Sequence, residues 1–201
     1  TMRMNDSHGL KEAQTGAVDW IGKWPSQFWR KNPGLRRAPY RMERSWEGSF
    51  NYLLPEVRAH HMALIQELFT RYDMFGLELD WMRWGMFFPP GHEKAGSKVL
   101  TAFVKEVRSL ADAAEKRYGH PIKLAHRLPH DLLACDHFGF DPVDWHNHGC
   151  IDMITLSSFL GNAEFNPRID IWKRLLAPEV TVNVFVENCV KPFPEGVVNN
   201  D

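Results

Sequence analysis

The chain has little of what marks several common protein classes. Its three cysteines, Cys135, Cys150 and Cys189, stand far apart in 201 residues and form no Cys-x-x-Cys pair. This spacing argues against a disulfide framework or a structural zinc site and favours buried free thiols. No apolar run approaches the roughly 20 residues that a membrane-spanning helix needs. We therefore expect no membrane as a partner.

An excess of charge of one sign is also lacking. The chain has 24 Lys and Arg against 25 Asp and Glu, a net charge of -1, so no overall field favours nucleic acid. No Gly-x-Ser-x-Gly elbow is present. Residues 91–98 resemble a phosphate-binding loop only loosely, because the Lys and Ser are exchanged and no strand precedes them. We expect no metal and no cofactor.

Strand patterns alternate with helical ones along most of the chain. Runs of high strand propensity occur at 1–4, 75–80, 122–127, 151–156 and 180–187. Apolar residues at helical spacing occupy 57–72 and 99–118, with Ser97 as the expected N-cap of the second helix. Shorter helices are expected between Asp141 and Gly149, and over 167–176. Strands that alternate with helices predict parallel β/α units.

The spacing of these units is typical of a barrel. We predict an α/β fold in which residues 1–201 form a partial (β/α)8 TIM-barrel catalytic domain, holding about strands three to seven. Residues 10–56, rich in tryptophan, would then be a long loop insertion after the first strand. The remainder of the barrel would come from a longer chain. A small complete α/β domain is the alternative.

Polar and ionisable residues end every predicted strand. In the second strand Glu78 and Asp80 are two apart and share a face, while Leu77 and Leu79 take the opposite one. Barrel enzymes carry their active sites at the carboxyl ends of the strands. We therefore take Asp80, Glu78 and Glu187 as candidate catalytic residues. The candidate substrate-binding residues are Asn5, Asp6, His8, Trp81, Arg83, Trp84, His126, Arg127, Ser157 and Asn188.

Two carboxylates facing each other are what glycoside hydrolysis requires. One acid must hold a proton for the leaving oxygen, and the other must be ionised to attack the anomeric carbon or to activate water. Asp80 or Glu78 facing Glu187 across a barrel mouth would satisfy this. Arg83 and Arg127 would keep one carboxylate charged, and a less solvated partner would keep its proton.

The second strand also resembles a known motif. Tyr72-Asp73, Gly76, Glu78-Leu79-Asp80 and Arg83 are similar to a strand of family-10-like glycoside hydrolases, TIM-barrel proteins of bacterial carbohydrate degradation. The resemblance implies an acid/base after barrel strand four, at Glu78 or Asp80, and a nucleophile after strand seven, at Glu187. The Asn-Glu-Pro of true family-ten enzymes is missing here. Related barrels with an Ile-His-Phe-Asp-Asp strand match at Asp80.

These observations predict a glycosidase that acts on a poly- or oligosaccharide, with retention of configuration preferred over inversion. Trp81 and Trp84 are candidate platforms for sugar rings. A non-catalytic carbohydrate-binding barrel and a metal-dependent barrel hydrolase or lyase are the alternatives. The carbohydrate is the one expected small-molecule partner. A secreted or periplasmic location would follow if a signal peptide preceded the sequence.

Overall fold

A computed structural model describes residues 1–5, 25–40, 45–82, 85–158, 167–186, 189–190 and 198–199. Within them the protein is α/β, with one sheet of five parallel strands that lie in their order along the chain. All five predicted strands are confirmed, with ends that differ by no more than two residues. The strands are β1 Met2–Arg3, β2 Gly76–Asp80, β3 Lys123–Pro129, β4 Met153–Ser157 and β5 Thr181–Phe185.

Helices occupy most of the connections between the strands. The four predicted helices are found, and the helix Leu132–Phe138 and the short helix Gln27–Lys31 were not predicted. In chain order the described helices are α1 Gln27–Lys31, α2 Pro55–Arg71, α3 Glu93–Tyr118, α4 Leu132–Phe138, α5 Pro142–Asn147 and α6 Ile169–Leu175. Cys189–Val190 and Val198–Asn199 form a separate antiparallel pair.

The start of α3 corrects one expectation. The helix begins at Glu93, so Ser97 lies within its second turn and is not its N-cap. Gly96 does not interrupt the helix, because the Phe88 ring lies against it; a Cβ at Gly96 would come within 2.4 Å of that ring. The helix ends at Gly119, whose φ of +77° is the left-handed conformation that glycine accepts at least cost.

The short helices are fixed by caps that the sequence carries. Asp141 accepts a hydrogen bond from the backbone N–H of Asp144, and Pro142 occupies the first turn of α5, as predicted. Asp131 caps α4 in the same way through the N–H of Leu133. Each cap satisfies a backbone donor that the helix itself leaves unpaired.

The sheet has an apolar face and a polar face. Leu77 and Leu79 are buried with the apolar residues of α2 and α3 in one continuous core. The alternate residues Glu78 and Asp80 point to the opposite face, as the strand period predicts. The strands therefore separate a packed side, which the helices cover, from a side that carries the ionisable groups.

Part of the predicted 10–56 insertion lies outside the described residues. The described part includes α1 and a backbone bridge between Arg36 and Phe50. Trp29 is buried there, donates from Nε1 to the Gly48 carbonyl at 2.6 Å, and carries the Arg36 guanidinium 3.7 Å above its ring. This tryptophan is a structural residue.

Sequential order and parallel direction constrain the architecture. A doubly wound sheet reverses its strand order at a switch point, and the described sheet does not reverse. The arrangement is compatible with an arc of a (β/α)8 barrel. Among the described helices none is both long and apolar enough to cross a membrane.

Candidate functional site

Four side chains meet where β2 to β5 end. Asp80 is the last residue of β2 and is in register with Arg127 of β3, while Ser157 of β4 is in register with Phe185 of β5. Because parallel neighbours end at the same edge of a sheet, residues far apart in sequence become adjacent there. We call Asp80, Arg127, Ser157 and Phe185 the strand-end cluster.

Arg127 is the centre of the strand-end cluster. Its Nη1 lies 3.3 Å from Oδ2 of Asp80. Its Nε and Nη2 donate to Oγ of Ser157 at 3.3 and 3.0 Å. The guanidinium carbon lies 4.4 Å from the centroid of the Phe185 ring, in cation–π geometry. Residues of three other strands thus contact the cation: Asp80 of β2, Ser157 of β4 and Phe185 of β5.

The Asp80 carboxyl group is almost completely buried, with 3% of the residue exposed. Burial raises its pKa above the ordinary aspartate value, and Glu78 on the same strand raises it further. Arg127, the backbone N–H of Met82 and Arg3 act in the opposite direction. The Met82 N–H donates to Oδ1 at 3.0 Å. Desolvation is the strongest of these effects, so the site favours the protonated acid more than water does.

Glu78 shares the polar face with Asp80 but has other partners. Thr1 donates to its Oε1 at 2.9 Å, and Thr155 of β4 donates to its Oε2 at 3.4 Å. Glu78 reaches β4 across Ala125, its register partner on β3, whose small side chain leaves the room. Two acids on one face were predicted, and the structure confirms that placement.

His126 and Trp81 lie on the other side of the sheet. Both are fully buried on the helix-covered side of the sheet, where Trp81 Nε1 lies 2.9 Å from Nδ1 of His126. His126 Nε2 lies 2.9 Å from the Cys150 carbonyl. Each residue neighbours a polar-face residue along its strand, so the strand period turns it to the opposite side. Neither side chain reaches the polar face, so the structure does not bring these two residues into the strand-end cluster.

Asn5 is also placed differently from the expectation. Its side-chain amide donates to the carbonyls of Phe50 and Met86 at 3.0 and 3.2 Å, and its Oδ1 accepts from the Phe50 N–H at 2.9 Å. Only 6% of the residue is exposed. Asn5 therefore joins two loops through its side-chain amide, and the structure does not bring it into the strand-end cluster.

Six of the predicted site residues lie outside the described residues. Glu187, the expected second carboxylate, is one of them, so the distance between the carboxyl groups of Asp80 and Glu187 is not described. The others are Asp6, His8, Arg83, Trp84 and Asn188. Of the predicted set, the structure brings together Asp80, Arg127 and Ser157, with Glu78 on the same face.

Sequence reasoning missed Phe185 and Thr155. Both belong to the polar face by strand alternation, because Thr155 is in register with Arg127 and Phe185 with Ser157. The sequence signal was the position of Phe185 two residues before Glu187, on the same side of the predicted strand. An apolar side chain at a strand end gave no reason to choose it before the register was known.

Burial changes other titratable groups that lie away from this face. It lowers the pKa of both His61 and His126 to about 4 and raises the pKa of the Cys135 thiol. Within the described ranges, no group of three or more His, Cys, Asp and Glu side chains is arranged to hold a metal ion. Comparison of the chain with protein-family models and with curated proteins gives no match.

Proposed function

We propose that the five strands are an arc of a (β/α)8 barrel, strands three to seven, and that the polar face lines its interior. Two features support this. The strands are consecutive, parallel and joined by helix-containing connections, and among the described residues the apolar face of the sheet packs against α2 and α3. In a barrel the strand ends that carry Asp80 and Ser157 would surround the mouth of the active site.

We further propose that the protein is a glycoside hydrolase in which Asp80 is the general acid. The observation that carries this proposal is a buried carboxyl group at a strand end whose surroundings raise its pKa. A glycosidase acid must retain its proton near neutral pH until the leaving oxygen takes it. Glu78, which is half-buried and bonded to two threonines, fits a supporting role better than that of the acid.

The reaction would proceed in two stages if configuration is retained. Asp80 gives its proton to the glycosidic oxygen as that bond breaks, and the second carboxylate, proposed as Glu187, forms a bond to the anomeric carbon. Water then attacks the anomeric carbon and displaces the Glu187 carboxylate, while Asp80 takes a proton from that water. Arg127 would stabilise the Asp80 carboxylate that exists between the two stages, because its Nη1 lies 3.3 Å from Oδ2.

A non-catalytic carbohydrate-binding barrel is the second candidate. The observation that favours it is the ion pair between Asp80 and Arg127, in which each charge already has a partner. The carboxylate of such an ion pair can accept hydrogen bonds from sugar hydroxyls, and it has no proton to give to a leaving group. The two candidates differ in one result, because only the enzyme releases new reducing ends from a glycan.

The test is hydrolysis of a panel of glycans by the full chain and by Asp80→Asn, Glu78→Gln and Glu187→Gln. Removal of a general acid costs about 10²–10⁴-fold in rate, and we expect a loss of this size for Asp80→Asn. We expect a smaller loss for Glu78→Gln. Glu67→Gln, on the exposed side of α2, is the matched control and should retain the parent rate.

Two outcomes contradict the proposal. Equal hydrolysis by the parent and all three site variants would eliminate the proposed acids. Glycan binding without product from the parent would favour the binding barrel. Where product forms, the anomer released first, read by proton NMR, separates retention from inversion.

A further inference from the structure

Phe185 occupies an unusual place for a large apolar side chain. It ends β5 on the polar face, and 41% of the residue is exposed. Its ring is not part of the continuous apolar core. The contact that accounts for its position is with Arg127, whose guanidinium carbon lies 4.4 Å from the ring centroid.

Arg127 needs such a contact to keep one orientation. An arginine side chain has many rotamers and loses conformational entropy when it is held in one of them. Ser157 holds one edge of the guanidinium, and Asp80 meets Nη1 at 3.3 Å, a long hydrogen bond. The Phe185 ring adds a third contact, with the guanidinium carbon 4.4 Å from its centroid, and so further restrains the guanidinium.

We propose that Phe185 is a positioning residue of the strand-end cluster: its ring holds the Arg127 guanidinium beside Asp80 and thereby fixes the charge that the acid faces. The inference rests on the proposed function only in naming Asp80 as the acid. The contacts lead from Phe185 on β5 to Arg127 on β3 and from there to Asp80 on β2. Phe185 itself does not need to touch a substrate.

The charged groups around Asp80 determine what the loss of Phe185 would do. Arg3 of β1, Glu78 of β2 and Arg127 of β3 act on its carboxyl group, and Arg127 is the strongest attractive influence. An Arg127 released from the ring would spend less time beside Asp80, and the pKa of Asp80 would rise. If Phe185 served only to exclude water, its loss would hydrate the carboxylate and lower that pKa. The two roles therefore predict opposite signs.

The experiment is a titration of the Asp80 side-chain carboxyl carbon by NMR in the full chain, without substrate. Arg127→Gln should raise the Asp80 pKa by about one unit, a tenfold change in proton affinity, because an opposite charge at this distance acts on that scale. Phe185→Leu should raise it in the same direction by a smaller amount. Phe185→Tyr, which restores an aromatic face, should return the parent value. Val186→Ala, the exposed neighbour, is the matched control.

A double variant shows whether Phe185 acts through Arg127. In the Arg127→Gln background, Phe185→Leu should produce no further shift. An unchanged or lowered Asp80 pKa in the single Phe185→Leu variant would overturn the proposal, and so would an equal shift in both backgrounds. Phe185→Met, which fills similar space without an aromatic face, replaces the leucine variant if that variant does not fold.

The outcome stays separate from that of the proposed function. A chain that hydrolyses no glycan but shows the Phe185-dependent rise retains the positioning role and loses the enzymatic one. If hydrolysis depends on Asp80 but the pKa of Asp80 does not change when Phe185 is replaced, the enzymatic role is retained and the positioning role is lost. In an active protein, the alkaline limb of the pH–rate profile, where the acid loses its proton, should follow the NMR values in each variant.

Discussion

At the scale of single residues, His126 shows how a titratable side chain becomes part of the core. The Trp81 indole can only donate, so the His126 Nδ1 that it contacts must be the acceptor. The hydrogen of the ring then lies on Nε2 and points to the Cys150 carbonyl. A second proton on Nδ1 would face the indole N–H directly. Burial and this geometry together favour the neutral ring.

Acid should therefore destabilise the protein before most carboxylates titrate. His61 and His126 are buried and have pKa values of about 4, against 6.5 in the unfolded chain. Below pH 6.5 the unfolded state takes up protons that the folded state does not, so stability falls between pH 6.5 and about 4 and levels off below. Each histidine contributes about 3 kcal/mol to this loss. Urea unfolding at pH 7.5, 6.5, 5.5 and 4.5 measures it.

A variant assigns the effect to the residue. His126→Gln cannot protonate, so the parent should lose more stability than the variant on going from pH 7.5 to 4.5, whatever their difference at pH 7.5. Identical slopes of unfolding free energy against pH in the two proteins would show that His126 does not contribute. Asp80, with its raised pKa, works in the opposite direction, because its folded form gains protons first as the pH falls.

Strand parity explains which site residues could be predicted. Glu78 and Asp80 were correctly placed on one face because they lie two apart in a strand. The same rule means that His126 and Arg127, as neighbours, cannot both reach that face, but the sequence does not say which of them does. The register with Asp80 decides in favour of Arg127. Phe185 follows only from the register of β4 with β5, which depends on tertiary packing.

At the scale of secondary-structure elements, one arginine joins α3 to the sheet. Arg108 donates to Asp112 at 2.6 Å and to Glu115 at 3.2 Å on its own helix. It also reaches Asp152, just before β4, at 3.2 Å and the Ile122 carbonyl at 3.1 Å. Its side chain is 13% exposed. This network anchors the helix at the amino-terminal side of the sheet, away from the strand-end cluster.

Loss of this anchor should be costly. Arg108→Met keeps most of the side-chain volume but removes the cation from Asp112 and Glu115 and leaves Asp152 its pair with Lys123, and we expect a loss of about 2 kcal/mol in unfolding free energy. Arg71→Met is the control, since its pair with Glu67 is exposed and should contribute less than about 1 kcal/mol. Urea denaturation at neutral pH measures both. Equal effects in the two variants would mean that the Arg108 network adds no more than a surface pair.

The positions of helices could be predicted where the sequence carries a clear apolar stripe or a capping residue. The apolar stripe of α3 and the Asp141-Pro142 start of α5 were sufficient for prediction. Helix α4 was missed because it is seven residues long, too short for a clear period, and only the Asp131 cap and Gly139 mark its ends. The start of α3 at Glu93 was missed because Ser97 was taken as the N-cap, and the ring of Phe88 that packs against Gly96 comes from outside the helix.

At the scale of the whole molecule, the described sheet has two edges. β1 is two residues long and β5 has β4 as its one partner in the described sheet. A short edge offers little to a pairing strand, whereas β5 carries Thr-Val-Asn-Val-Phe without a charge or a proline. Phe185 and Val186 are exposed at its end. An uncharged, apolar edge is a template for pairing between molecules.

We therefore expect the isolated 201-residue chain to self-associate through β5, and a soluble monomer in light scattering would refute this. The N–H of Thr181 points inward to the Asp152 carbonyl, so by strand alternation the N–H of Val184 points to the open edge. Val184→Pro removes that outward donor and leaves the bonds to β4 intact, which is where an edge strand tolerates proline. It should reduce scattering at equal concentration. Leu133→Lys, at an exposed apolar residue on α4, is the control and should not. Equal scattering from the parent and Val184→Pro would assign the association to another surface.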